Sequence, residues 1–128
     1  MPIATQFSLK LENRPGALAM TCSELAAKAV NIQAIVAEAW QPGRVRLVVN
    51  NTETARKVFE AKGIEFSEEK VLVVRISDRP GALGRITRKL AENQINIDYA
   101  YGSIEKGAPK ALVILGVSEL EKAAALLK

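Results

Sequence analysis

A chain of 128 residues, 48% hydrophobic and 25% charged, has the apolar content for a packed core, and no run near the ~20 apolar residues of a bilayer span. Its net charge of +4 comes from 18 basic and 14 acidic residues that are interspersed, 8 and 5 in residues 1–63 and 10 and 9 in residues 64–128, which reads as a solvated mixed surface. The absence of histidine removes the commonest metal ligand and general base, and one cysteine, Cys22, leaves no intramolecular disulfide.

The first predicted strand is "FSLKL", where Phe7, Leu9 and Leu11 alternate with Ser8 and Lys10. "ENRPGAL" breaks it, and Pro15 suits the first turn of a helix whose apolar stripe is Leu18, Cys22 and Leu25. "NIQAIVAEAW" and "GRVRLVVN" read as a second and third strand around a turn at Pro42-Gly43. A second helix carries Ala55, Val58, Phe59 and Lys62, stops at Gly63, and leads into a short fourth strand, "IEFSEEK".

The order then restarts. "VLVVRI" is followed by "SDRPGALGRI", a helix with Leu83, Ile86 and Leu90 on one face, and the strands "NIDYAYGS" and "PKALVILGV" around Gly107. A last helix holds Leu120, Ala123, Ala124 and Leu127, with Ser118 and Glu121 as a capping box. Sliding the sequence by 65 pairs residues 13–52 with 78–117 without a gap and makes 11 of 40 pairs identical. The identities include "RPGAL", Asn31-Ile32 with Asn96-Ile97, and Leu47-Val48 with Leu112-Val113.

Each copy therefore reads as β-α-β-β-α-β, giving an α+β fold of two ferredoxin-like units, residues 1–70 and 71–128, with antiparallel sheets and helices on one face. The second copy lacks its last strand: either the sequence is truncated there, or its open edge is covered by a partner or by the N-terminal residues. Val71, Val73, Ile35, Val48 and Val113 are expected on the helix-free face, as contacts to another module.

A strand, then [ND]-R-P-G-A-L, a helix, and [VI]-N-I opening the next strand resembles the ACT domain, at residues 13–18 and 31–32 and again at 78–83 and 96–97. The resemblance implies a stand-alone tandem ACT protein: a non-catalytic regulatory module binding a small ligand, usually an amino acid, between neighbouring units. It also implies an association with metabolic enzymes. The implied ligand residues are Asn13, Arg14, Pro15, Gly16, Ala17, Leu18, Asn31 and Ile32. In the second copy they are Asp78, Arg79, Pro80, Gly81, Ala82, Leu83, Asn96 and Ile97. The copies depart from one another at Asn13/Asp78, Ala34/Tyr99 and Val36/Tyr101.

Physical chemistry supports a zwitterion at such a loop. Unpaired amides at a helix start favour a carboxylate, glycine admits close approach, and Asn or Asp accepts from an ammonium. The plainer reading makes Asn13 and Asp78 helix N-caps worth about 1 kcal/mol, Pro-Gly a turn, and Asn31 and Asn96 left-handed residues at a helix end. Tyr99 and Tyr101 either line a pocket or pack between modules. Arg79, Arg85, Arg88 and Lys89 form either a solvated face or a docking surface for an acidic partner.

Two other uses of this fold find no support. The predicted third strands "RVRLVVN" and "KALVILG" carry none of the aromatics that RNA-binding sheets stack on bases. Neither loop holds an acylphosphatase-like catalytic motif or a pair of copper-binding cysteines, and Cys22 reads as core. The expectation is a cytoplasmic homodimer with no cofactor, no metal, no nucleic acid and no membrane partner. The alternative function is an interaction module that docks on a metabolic enzyme without a ligand.

Overall fold

The computed structural model describes residues 2–38, 43–77, 79–103 and 110–127. The elements in chain order are β1 (Ile3–Lys10), α1 (Ala17–Ala27), β2 (Ile32–Glu38), β3 (Arg44–Val49), α2 (Thr52–Ala61), β4 (Glu65–Ser77), α3 (Ala82–Glu92), β5 (Ile97–Ser103), β6 (Lys110–Val117) and α4 (Leu120–Leu126). The fold is α+β, with antiparallel strand pairs in βαββαβ-type units. Two compact units emerge: a first of residues Thr5–Glu69, and a second of Lys70–Lys128 together with Met1–Ala4.

In the first unit the strand order is β2-β3-β1-β4. Phe7, Leu9, Val45, Leu47 and Val49 meet Leu25 of α1 and Ala55, Val58 and Phe59 of α2 in one buried cluster. The Phe7 and Phe59 rings pack edge to face at 5.1 Å, with Phe66 beside both. Asn51 caps α2, its side-chain oxygen accepting from the Thr54 N–H at 3.0 Å.

The second unit runs β4-β6-β5. Its core is aliphatic: Leu72, Val74, Leu90, Ile95, Val113, Leu115, Ala123 and Ala124. No strand follows α4 among the described residues. The N-terminus takes part of that place: the Val73 N–H donates to the Pro2 carbonyl at 2.6 Å, and Ile3 packs against this core. β4 is a single strand of 13 residues, so "IEFSEEK" and "VLVVRI" are not interrupted by a break.

The registers correct the gapless repeat. Phe7 faces Leu47 and Leu72 faces Leu115, so β1 matches β4 at an offset of 65, whereas β3 matches β6 at 68. The equivalent triplets are Val45-Leu47-Val49 and Val113-Leu115-Val117, all packed in or against their cores. The β5–β6 connection holds the three additional residues. Because strands alternate faces, an odd shift moves side chains to the other side. Val113 therefore belongs to the helix-covered core, whereas Val48, although buried, lies outside the first unit's cluster.

Further differences concern the helices. The buried face of α1 is Ala17, Thr21 and Leu25, leaving Leu18 36% exposed and Cys22 partly exposed. Leu83 is likewise 44% exposed on α3. The Ser118–Glu121 capping box does not form: Glu119 is the N-cap, and the Ser118 hydroxyl instead accepts from the Asn96 N–H at 2.9 Å. Among the described residues, no helix is long and apolar enough to cross a membrane.

Candidate functional site

Both "RPGA" segments fold into the same turn. The Ala17 N–H donates to the Arg14 carbonyl at 3.3 Å, and the Ala82 N–H to the Arg79 carbonyl at 3.1 Å. Pro15 and Pro80 occupy the second position of these turns; Gly16 (φ 90, ψ −16) and Gly81 (φ 86, ψ −7) occupy the third, the pattern of a type II turn. A Cβ at Gly16 would have open space around it, and one at Gly81 only ordinary contact with Arg85, so the positive φ demands glycine here, not crowding. This turn corrects two sequence readings. Proline precedes the helix instead of starting it, and Gly16 and Gly81 are the N-caps, so Asn13 does not cap α1. Asp78 lies outside the described residues.

The turn aims the start of each helix into a cleft on the helix-bearing side of its own sheet. In the second unit the cleft has a volume of about 330 Å³, within the ~300–1,000 Å³ range of small-molecule sites. Ile76, Ala82, Leu83, Ala100, Ala111 and Val113 make its apolar lining, and Arg79 and Ser77 stand at its edge. Small residues create the space: Ala100, Gly102 and Ala111 occupy the strand ends where larger side chains would fill it. The Leu83 and Gly84 amides, in the first turn of α3, have no partner among the described residues. The Arg79 guanidinium has no ion pair among them either.

The first unit holds the equivalent cleft, about 240 Å³, bordered by Asn13, Arg14, Ala17, Leu18 and Val45. Its rim is charged by Glu12, Glu38 and Arg44 as well. Arg14 is already occupied: its Nε donates to the Glu12 carboxylate at 2.9 Å.

The second-strand residues are not at these clefts. The Leu11 N–H reaches the Gly43 carbonyl at the start of β3, whereas the Asn50 N–H, past its end, donates to the Asn31 carbonyl. Six residues of strand separate the two points, about 20 Å. Asn31 and Asn96 do matching structural work instead. Their N–H groups donate to the Asn50 Oδ1 and the Ser118 Oγ, both at 2.9 Å, and their carbonyls accept in return from the Asn50 and Ser118 N–H groups. Ile32 and Ile97 pack against the cores.

Neither asparagine is left-handed. That conformation falls two residues earlier, at Ala29 (φ 59) and Gln94 (φ 61), inside Schellman closures in which Val30 and Ile95 donate to Leu25 and Leu90 at 3.0 Å. Tyr101 borders the second cleft, but its register partner Ile114 is outside the core cluster. The Tyr99 ring sits where a side chain on Gly116 would stand.

Lining from the strands (Ala100, Gly102, Ala111 and Val113, or Ala37 and Gly43–Val45) was missed by sequence reasoning, which followed the loop motif, the start of the second strand and the two tyrosines. The signal present was a concentration of small residues in β5 and at the start of β6.

The family match falls on the second unit. Residues 70–128 match the model of the ACT domain. No curated protein matches the chain. Among solved structures, a protein from Bacteroides thetaiotaomicron is similar at a TM-score of 0.91 and 24% identity, over 98% of this chain and 87% of that one. The ligand-free regulatory subunit of aspartate kinase from Thermus thermophilus gives 0.68 and 15%, over 99% and 93%. Aspartokinase III from E. coli gives 0.58 and 16%, over 98% of this chain and 29% of that one. These are likenesses of fold.

Proposed function

We propose that the chain is a non-catalytic regulatory protein built of two ACT domains, in which the cleft of the second unit binds a free amino acid. The observation that carries this reading is the apolar cleft of about 330 Å³ with Arg79, which has no ion pair among the described residues, at its edge, inside the segment that matches the ACT domain. The ligand carboxylate meets the Leu83 and Gly84 amides and the Arg79 guanidinium, and the side chain enters among Ile76, Leu83 and Val113. The complex of the similar E. coli aspartokinase III with lysine and aspartate supports an amino acid as the ligand class.

Binding regulates only through a difference in affinity between two states of the protein. Here the states are arrangements of a homodimer or of a complex with a metabolic enzyme. A thermal-shift screen of the twenty amino acids tests the ligand. At about 100 times the Kd, linkage stabilises the folded chain by about 2.7 kcal/mol, a rise in Tm of several degrees. The rise is expected for at least one amino acid and is lost in Arg79→Ala; a flat screen contradicts the reading. Sedimentation equilibrium checks the homodimer, which a monomer at high concentration contradicts.

A further inference from the structure

We infer that the cleft of the second unit selects an amino acid with an uncharged aliphatic side chain, which lies on a floor kept open by Ala100, Gly102 and Ala111. This rests on the reading above and specifies the ligand class of the same site.

Strand register places the floor residues on one face. Val74 and Ile76 of β4 pair with Val113 and Ala111 of β6, while Val113 and Leu115 pair with Gly102 and Ala100 of β5. Directly paired residues point to the same side of a sheet, and Val74, Val113 and Leu115 belong to the helix-covered core. Ile76, Ala111, Gly102 and Ala100 therefore line that side, where Ala82 and Leu83 of α3 border the same cleft. Tyr101, paired with Ile114, belongs to the other face.

The first unit shows what narrows such a floor. Register matches Ala100 with Ile35, which face Leu115 and Leu47, and Gly102 with Ala37, which face Val113 and Val45. At both positions the second unit has the smaller residue. Its cleft is the larger, about 330 Å³ against about 240 Å³.

Charge decides the ligand class. Among the described residues no acidic side chain lines the cleft, so a lysine ammonium entering it would lose water without gaining a carboxylate. Arg79, the cation among the described lining residues, stands at the edge and takes the ligand's own carboxylate. A second carboxylate, on an aspartate side chain, then finds no partner. An aliphatic side chain instead exchanges water for Ile76, Leu83 and Val113, and each methylene buried there tightens binding by about fourfold.

Isothermal titration calorimetry of the full chain tests this with alanine, 2-aminobutyrate, norvaline, leucine, lysine and aspartate. The Kd is expected to fall about fourfold for each methylene added from alanine to norvaline. Lysine and aspartate are expected to bind at least about tenfold more weakly than leucine. Gly102 is left untouched, because a Cβ there would stand 2.9 Å from the Leu112 carbonyl oxygen. Ala100→Ile installs the first unit's residue at an exposed position, and Ala111→Val fills the floor at a buried one. Each is expected to weaken leucine by at least about tenfold and alanine by less. Circular dichroism verifies folding, and Ala100→Ile alone decides the matter if Ala111→Val does not fold. A flat methylene series, or leucine binding unchanged in Ala100→Ile, overturns the inference. Tighter binding of lysine or aspartate than of leucine also overturns it, while leaving the amino-acid reading intact. Absence of binding by these ligands and by every other amino acid overturns that reading and the inference together.

Discussion

The two units share a scaffold and differ in what they do with it. Both use a type II Arg-Pro-Gly-Ala turn, both close the following helix with a non-glycine left-handed residue, and both pin the next strand through an asparagine main chain. Their clefts diverge. The first has a charged rim and an arginine bound to Glu12; the second is lined by small and aliphatic residues and leaves Arg79 unpaired among the described residues. The turn is thus a structural requirement present in both units, and the side chains around it decide which cleft suits a ligand.

The strongest way to break this equivalence is through the cores. Leu25 and Leu90 are each fully buried at matching positions beneath α1 and α3. Leu25→Ala and Leu90→Ala are each expected to cost about 2–5 kcal/mol, measured by urea denaturation. A negligible cost for either shows that the units are not packed alike.

A smaller effect tests the turns. Gly16→Ala and Gly81→Ala each force an L-residue into the left-handed region, at a cost of about 1–2 kcal/mol. Unequal costs would mean that the glycine requirement differs between the copies. In the ligand assay, Gly81→Ala lowers affinity and Gly16→Ala does not.

The legible part of the fold followed from local signals. Alternation in Phe7-Leu9 and Leu72-Val74, the Pro-Gly breaks and the helical spacing of Ala55, Val58 and Phe59 are short-range patterns, and each survives in the structure. The offset of three between β3 and β6 was not legible, because Leu47-Val48 and Leu112-Val113 coincide by chance in a valine-rich pattern. Only cross-strand register shows that Leu47 corresponds to Leu115. The site was half legible for the same reason. The loop contributions follow from the motif, but Ala100, Gly102 and Ala111 reach the cleft through strand pairing. Asn31 and Asn96 anchor the second strand through main-chain groups at the end remote from the cleft, and their shared side-chain identity has no structural explanation.

The most direct measurement is an amide-resolved NMR titration of the full chain with the amino acid that gives the largest thermal shift. Saturable displacement of the Leu83 and Gly84 signals, with Leu18 and Ala19 unmoved, is the predicted result. Displacement confined to Leu18 and Ala19, or none at any helix start, contradicts the assignment of the ligand to the second unit.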